Sequence, residues 1–194
     1  MHRLILASAS PQRKVLLEGL GVAFDVIPSN VAEADCSEAD PVRRAEVLAA
    51  LKARDIAARH PGRVVIGCDT LVVSATGELL EKPRDAKDAE RMLRLHSGKT
   101  SLVHSALTVI GHNGKECSGV SSSSVTFQKL SPEDIEWWIG TGLWNDRSGA
   151  FQIDGLGQLM IERIEGDWTG VVGLPIFLLG ELLDQSGNAF WQQM

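Results

Sequence analysis

The chain opens with a short apolar run over residues 3–7 that stops abruptly at two serines and a proline. An uninterrupted apolar run of this length indicates a buried strand. Ser10 and Pro11 are typical of a helix start, because serine caps free backbone N–H groups and proline fits the first helical turn. The apolar positions that follow at helical spacing are Val15, Leu16, Leu17 and Leu20, before Gly21. The pattern therefore predicts a strand, a tight turn and a helix to about Leu20.

The rest of the chain alternates between strand-like and helix-like patterns. Predicted strands cover residues 22–28, 64–73, 102–110, 120–128 and 158–164, and the third and fourth of these flank a turn at residues 112–115. Predicted helices cover residues 41–60, 85–95, 131–138 and 171–183. Strands and helices do not alternate regularly, so we expect an α/β or α+β sheet that contains antiparallel hairpins.

Length and charge narrow the classes of protein. A chain of 194 residues with 44% hydrophobic residues suits one domain or a two-lobed one. Its formal charge of −6 argues against a general binder of nucleic acid or of membrane surfaces. The first apolar run is too short for a signal peptide and no segment approaches a membrane span of about 20 residues, so we expect a cytoplasmic protein without a membrane partner. The three cysteines contain no C-x-x-C pair, which predicts reduced thiols rather than disulfides or a zinc site.

The first loop carries the ingredients of an anion site. Residues 8–14, "SASPQRK", bring together hydroxyl groups, free backbone N–H groups, a helix N-terminus and two cations. The alternative is an ordinary capped helix with solvated basic residues. The loop lacks the glycines and the Gly-Lys-Ser/Thr ending of a Walker loop.

Two carboxylates stand out. Asp69 interrupts an apolar strand, where an ionised carboxylate is costly unless it is paired or binds a cation. The alternative is a structural aspartate that caps a bulge. Glu33 lies on a loop after a strand and by itself fits a solvated acid. Two such carboxylates are a usual way to hold Mg²⁺ beside a substrate phosphate.

The remaining polar candidates are less specific. Lys52 lies in an amphipathic helix and Lys82 in a turn, and either lysine fits an ordinary surface position. The glycine-rich segment around Asp154 and Asp167 is typical of loops at a binding site. The five histidines have no metal-ligand spacing and are assigned to surface or capping positions, and the five tryptophans to the core or a subunit contact.

Several stretches together resemble the Maf family of nucleoside triphosphate pyrophosphatases. They are "LILASASPQRKVLL", Glu33, "LKAR", "VIGCDTLVV", "LLEKPRDAKDAERMLRLHSGKTSLVHS" and "SGAFQIDGLGQLMIERIEGDWTGVVGLP", in the order of that family and over about residues 3–183. The resemblance implies an inosine triphosphatase-like α/β fold, with a long curved mixed sheet flanked by helices and two lobes around a deep cleft within one domain. It also implies hydrolysis of a nucleoside triphosphate to the monophosphate and pyrophosphate, with Mg²⁺ or Mn²⁺, by a homodimer.

The resemblance also assigns roles to residues. Asp69 stands at the position of the base or metal-bound activator of the attacking water, with Glu33 as the other metal ligand. Arg13, Lys52 and Lys82 then hold the triphosphate, and Ser8 and the loop N–H groups bind its oxygens. Ser10 and Asp85 complete the expected substrate-binding residues.

Three positions relate to the base. The dTTP/UTP branch of the family typically has Pro-Arg-Arg, Asp-Thr and a late Gln, whereas the 7-methyl-GTP branch has an aromatic residue, Asp-Gln and a late Glu. Here these positions are Gln12, Thr70 and Asp154. Thr70 favours the pyrimidine branch, Asp154 leans toward the acidic residue, and Gln12 fits neither.

Thr70 makes dTTP, UTP or modified pyrimidine triphosphates the expected substrates, with 7-methyl-GTP or a non-standard purine triphosphate as the alternative. Val15 replaces a glutamate that is usual in the family. Gln12 and Val15 keep open a third alternative, a nucleotide-binding regulator of cell division with a degenerate site.

Overall fold

The computed structural model describes residues 4–188. Within that range the strands are β1 Leu4–Leu6, β2 Phe24–Val26, β3 Val65–Val73, β4 Leu79–Leu80, β5 Thr100–Ile110, β6 Glu116–Phe127 and β7 Ile161–Glu165. The helices are α1 Pro11–Glu18, α2 Pro41–Arg59, α3 Ala86–His96, α4 Pro132–Thr141, α5 Trp168–Val172 and α6 Ile176–Gln185. The predicted start of the first strand at Arg3, the predicted surface position of His2 and the role given to Trp191 lie outside the described residues.

The strands form one seven-stranded sheet in the order β2-β1-β3-β5-β6-β7, with β4 paired to β3. β1 lies parallel to both β2 and β3, whereas β4 pairs antiparallel with β3 and β7 antiparallel with β6. The sheet is therefore mixed and flanked by helices, which confirms the predicted α/β class.

The chain divides into two compact units. Unit 1 comprises the described residues up to Asp69, Ser105–Ser121 and the described residues from Gly173 on, and unit 2 comprises Thr70–His104 and Ser122–Val172. β3, β5 and β6 each contribute residues to both units. The single domain and the cleft expected from the sequence stay predictions.

Unit 1 has three layers because the side chains of β1 and β3 alternate between two faces of the sheet. Ile5 and Val65 pack against Ala53 and Ile56 of α2 on one face. On the other face, strand residues pack with α1 and α6, in a cluster that includes Leu4, Leu6, Ile66, Cys68, Leu17, Leu179, Leu182 and Leu183. Both faces of these strands are buried, which accounts for the nearly continuous apolar sequence of β3.

Unit 2 has its own hydrophobic core. α3 contributes Met92 and Leu93, and α4 contributes Ile135 and Trp138. α4 begins with a capping box, in which the side chains of Ser131 and Asp134 each accept a hydrogen bond from the backbone N–H of the other. Trp138 is fully buried and its indole N–H donates to the Ala150 carbonyl at 2.9 Å.

Several helices and strands begin or end at other residues than the sequence predicts. The helix predicted over residues 171–183 is two helices, α5 and α6, because Pro175 precedes Ile176 and cannot donate a helical hydrogen bond. The strand predicted from Gln158 begins only at Ile161, after a 3₁₀ segment over Gly155–Met160. α1 ends at Glu18 rather than near Leu20, and of its described residues only Leu17 is buried.

Candidate active site

A close contact between α2 and β3 places Lys52 beside Asp69. Gly67 lies against α2 so closely that a Cβ there would come within 2.7 Å of the Ala53 backbone nitrogen. Asp69 is two residues further along β3 and therefore points to the same face as Gly67. Lys52 lies on the buried stripe of α2, one turn from Leu48 and from Ile56. The glycine thus lets the helix approach the strand at the point where the lysine meets the aspartate.

Lys52 bridges the two predicted carboxylates. Its Nζ lies 2.6 Å from Asp69 Oδ1 and 2.8 Å from Glu33 Oε1. The side chains of Lys52 and Asp69 are only 7% and 6% exposed, whereas that of Glu33, in the 3₁₀ turn Glu33–Asp35, is 58% exposed. The expectation of a surface position for Lys52 is therefore wrong. Burial of an ammonium and a carboxylate together is tolerable only because each neutralises the other.

The second oxygen of Asp69 has no such partner. Asp69 Oδ2 is buried and, among residues 4–188, no group donates a hydrogen bond to it. Buried polar atoms in folded proteins are nearly always satisfied, so an acceptor of this kind fits a water or a cation that belongs to the functional state. A divalent cation needs oxygen ligands and keeps several waters, and Asp69 Oδ2 with the accessible carboxylate of Glu33 fits that requirement. No cluster of three or more His, Cys, Asp or Glu side chains suited to a metal occurs within residues 4–188.

The loop after β1 is organised around Ser8 and Arg13. Ser8 is buried, and its Oγ accepts hydrogen bonds from the Ser10 backbone N–H at 3.2 Å and from Arg13 Nη1 at 2.9 Å. Ser10 is the N-cap of α1 as predicted, and its Oγ accepts from the Arg13 N–H at 3.4 Å. Gln12 accepts a hydrogen bond from Ser10 Oγ at 3.1 Å, so it takes part in the cap.

A backbone carbonyl fixes the guanidinium of Arg13. Arg13 Nε donates to the Gly173 carbonyl at 2.9 Å, and the thiol of Cys68 donates to the same oxygen at 3.0 Å. Val15, which replaces the acid usual in the family, is 64% exposed. Sequence analysis missed the roles of Gly173 and Cys68, because a backbone carbonyl has no sequence signature.

The parallel pairing of β1 and β3 relates the two clusters. Leu6 pairs with Ile66, and the Ala7 N–H donates to the Ile66 carbonyl at 2.8 Å. Ser8 comes two residues after Leu6 and Asp69 three residues after Ile66, so both leave the paired region in the same direction. Unit 1 thus brings the carboxylate and lysine cluster and the serine and arginine loop to one region of the sheet.

The other predicted site residues belong to unit 2. Lys82 is exposed, with its Nζ 3.7 Å from Asp146 Oδ1, and Asp85 is the N-cap of α3, where its Oδ1 accepts from the Asp88 N–H at 2.8 Å. Thr70 follows Asp69 in β3, and Asp154 precedes the 3₁₀ segment Gly155–Met160. The structure thus places Glu33, Lys52, Asp69, Ser8, Ser10, Gln12 and Arg13 in unit 1, and Thr70, Lys82, Asp85 and Asp154 in unit 2.

Two of the five histidines do not occupy the surface positions expected from the sequence. His96 and His104 are buried rather than superficial. His96 contacts Ser101 Oγ through Nδ1 at 2.7 Å and the Gly149 carbonyl through Nε2 at 2.9 Å. Trp138 is fully buried in the core, whereas Trp137 is exposed. The three cysteines are free, as predicted.

A family comparison agrees with this geometry. The family described as Maf-like protein matches residues 3–186. The chain belongs to the Maf-like protein family. Relatives called dTTP/UTP pyrophosphatase from Deinococcus radiodurans, Methanosarcina barkeri and Pyrococcus furiosus are 44%, 42% and 40% identical to this Maf-like chain. The alignments cover 95%, 100% and 95% of the chain and 93%, 98% and 95% of those relatives.

Solved structures show a weaker likeness to the Maf-like chain. A nucleoside-triphosphatase from Mycobacterium abscessus, called a dITP/XTP pyrophosphatase, has a TM-score of 0.42 at 16% identity over 66% of this chain and 75% of that one. The Ham1 protein of Staphylococcus aureus has a TM-score of 0.46 at 13% identity over 64% and 71%.

Proposed function

We propose that this chain is a nucleoside triphosphate pyrophosphatase that hydrolyses dTTP and UTP to the monophosphate and pyrophosphate. The names of relatives at 40% to 44% identity support this activity and this choice of bases. The observation that carries the chemical part is the buried Asp69, with one oxygen held by Lys52 and the other without a hydrogen-bond donor among residues 4–188.

Asp69 is proposed as the base for the attacking water. Its Oδ2 accepts a hydrogen bond from the water, and then its proton, as the water oxygen bonds to the α-phosphorus and the bond to the leaving pyrophosphate breaks. Lys52, whose Nζ lies 2.6 Å from Oδ1, fixes the orientation of the carboxylate. The buried position of both side chains makes their electrostatic interaction stronger than it would be in water.

The loop after β1 is proposed to bind the triphosphate. Arg13 presents a planar guanidinium that Ser8 and Gly173 hold in place, and such a group suits phosphate oxygens. The Ser8 and Ser10 hydroxyls and the N-terminus of α1 add donors and positive potential. Lys82 and Asp85 are proposed to bind the substrate, and Lys82 also to take part in catalysis through its positive charge.

A divalent cation, Mg²⁺ or Mn²⁺, is proposed as the cofactor, with Glu33 and Asp69 as the residues that would hold it. When bound, the cation supplies positive charge to the phosphate oxygens as the bond to pyrophosphate breaks. Each carboxylate oxygen has two lone pairs, so Asp69 Oδ2 can contact a cation as well as the water, and the exposed carboxylate of Glu33 would supply the other ligand.

Base selection is proposed to involve Gln12, Thr70 and Asp154. The names of the relatives support dTTP and UTP, and Thr70 agrees with that branch. Asp154 offers only acceptors when ionised, whereas the glutamine usual in the pyrimidine branch offers both a donor and an acceptor. A triphosphate with N–H donors at that edge, such as 7-methyl-GTP, is therefore the comparison substrate.

A purely regulatory protein is the less favoured alternative. That alternative gained support from Val15, because a missing glutamate would leave Arg13 poorly oriented. In the structure, Ser8 and the Gly173 carbonyl orient Arg13 instead. The buried Lys52 and Asp69 pair also supports an enzyme, because a charged pair in that position is expensive to keep without a use.

The proposed setting is a cytoplasmic homodimer without membrane or stable nucleic-acid partners. Within residues 4–188 no helix is long and apolar enough to cross a membrane. Three free cysteines support a reducing compartment. The net charge of −6 supports the absence of a nucleic-acid partner.

A panel of triphosphates with a pyrophosphate readout tests the proposed function. The purified protein with Mg²⁺ or Mn²⁺ is incubated with dTTP, UTP, 7-methyl-GTP, ITP and the remaining standard nucleotides. We expect pyrophosphate from dTTP and UTP at the highest kcat/KM. Phosphate alone as the product contradicts the reaction, and tight calorimetric binding without turnover selects the regulatory alternative.

A further inference from the structure

Lys52 occupies a position between the two carboxylates that would hold a cation. Its Nζ contacts Asp69 Oδ1 at 2.6 Å and Glu33 Oε1 at 2.8 Å. The lysine is buried, so water does not screen its charge effectively. The cluster therefore already contains one internal cation.

The charges of the cluster limit how well it binds another cation. Two carboxylates attract a divalent cation. An ammonium within hydrogen-bonding distance of both lowers the net charge of the cluster from −2 to −1. A cation held by Asp69 Oδ2 or by Glu33 would lie near the ammonium of Lys52, and two like charges at short range repel each other. Glu33 and Asp69 without further ligands therefore form a weak site.

A triphosphate changes that balance. Its oxygens bring negative charge to the cluster and compete with Glu33, which is 58% exposed and the more accessible of the two partners, for the ammonium. The same oxygens complete the ligands of a cation, which in proteins is usually held by one or two carboxylates together with substrate phosphates. With the triphosphate bound, the cluster therefore has a higher affinity for a divalent cation than it has alone.

We propose that Lys52 is a built-in counterion that makes cation binding at Glu33 and Asp69 depend on the triphosphate. The protein takes up the divalent cation with the nucleotide and not before it. The inference rests on the proposed function, because it assumes that Glu33 and Asp69 hold a cation beside a triphosphate.

Binding of Mn²⁺ in the absence of nucleotide tests the inference without any activity measurement. The signal of free Mn²⁺ in electron paramagnetic resonance gives the affinity of wild type, Lys52→Gln, Lys52→Met and Lys52→Arg. We expect Lys52→Gln and Lys52→Met to bind Mn²⁺ at least about tenfold more tightly than wild type, because the repelling charge is gone. Lys52→Arg keeps the charge and should match wild type within about twofold.

Two further measurements identify the site and protect the test against misfolding. Glu33→Gln added to Lys52→Gln should return the Mn²⁺ affinity to the wild-type level. In wild type itself, Mn²⁺ bound to the protein increases the relaxation rate of water protons. This increase should appear only when a dTTP analogue is added whose α–β bridging oxygen is replaced by NH, which prevents hydrolysis.

The inference is overturned if wild type binds Mn²⁺ as tightly as the two neutral variants, or if the analogue leaves the wild-type affinity unchanged. Pyrophosphate release by wild type would then still stand on its own. Absence of turnover in the triphosphate panel would contradict the proposed function whatever the Mn²⁺ affinities are.

Discussion

At the scale of single residues, the site depends on contacts between pairs of side chains, which the sequence predicts only in part. The helical pattern alone favours a surface position for Lys52, because periodicity cannot name the partner that makes a buried lysine tolerable. That partner, Asp69, attracts attention because a charge interrupts an apolar strand. The family resemblance selects both residues, whereas their 2.6 Å contact required the fold.

Arg13 gives a test at this scale. Its guanidinium donates at once to the Gly173 carbonyl and to Ser8 Oγ, and the single nitrogen of a lysine cannot do both and also reach a phosphate. Arg13→Lys should raise KM for dTTP about tenfold or more, with a smaller fall in kcat, as measured by steady-state kinetics.

The matched control for Arg13→Lys is Arg43→Lys in the same unit. Arg43 is exposed and pairs with Glu46 at 2.7 Å. Its replacement should change kcat and KM less than twofold, since an exposed ion pair contributes little. Equal effects of the two substitutions would remove Arg13 from the proposed binding site.

At the scale of elements, the sequence predicted most helices and strands and missed the bounds that tertiary packing decides. α2 begins at Pro41 and α4 directly after its N-cap Ser131, in agreement with the helices predicted from residues 41 and 131. The strand expected from Gln158 starts late because residues up to Met160 form a 3₁₀ segment, in which Gly157 lies too close to the Gln152 carbonyl for a side chain to fit. This close contact with the preceding loop cannot be predicted from the alternation of apolar and polar residues.

Gly67 gives a test at this scale. A methyl group there would overlap the Ala53 backbone of α2, so Gly67→Ala must push the helix off β3 and Lys52 away from Asp69. We expect a loss of stability of roughly 1–3 kcal/mol or more in urea unfolding, together with reduced activity. Gly180→Ala in α6 is the control, because its Cβ meets nothing within 4 Å, and it should be neutral or stabilising. Wild-type stability and activity in Gly67→Ala would show that the close approach does not matter.

At the scale of the whole molecule, family and fold class were predictable because six short stretches occur in the order of the family. The core of unit 2 was less predictable, because its central polar residue looked like a surface histidine. His96 is completely buried and stacks on Phe127 with ring centroids 4.4 Å apart. Burial lowers the pKa of His96 from 6.5 to about 4, against the opposing effect of the Gly149 carbonyl.

The lowered pKa predicts how stability depends on pH. Between pH 4 and 6.5 the unfolded chain binds a proton at His96 that the folded chain does not, so the free energy of unfolding rises with pH across that window. The contribution is complete above about pH 6.5 and falls by about 3 kcal/mol as pH approaches 4. Urea unfolding at several pH values measures this slope.

His96→Gln should reduce that slope by about one proton. An unchanged slope in His96→Gln would show that other groups cause the acid sensitivity.

Asp69 is proposed to activate water for cleavage between the α and β phosphates. Phosphorus NMR of dTTP with Mg²⁺ identifies the products directly, for wild type and Asp69→Asn side by side. Asp55→Asn on α2 is the control, since an amide oxygen can still accept from the Asn30 N–H. We expect dTMP and pyrophosphate from wild type and from Asp55→Asn. For Asp69→Asn we expect a rate of dTTP hydrolysis about 10² to 10⁴ times lower. Products dTDP and phosphate, or a wild-type rate from a folded Asp69→Asn, would contradict it.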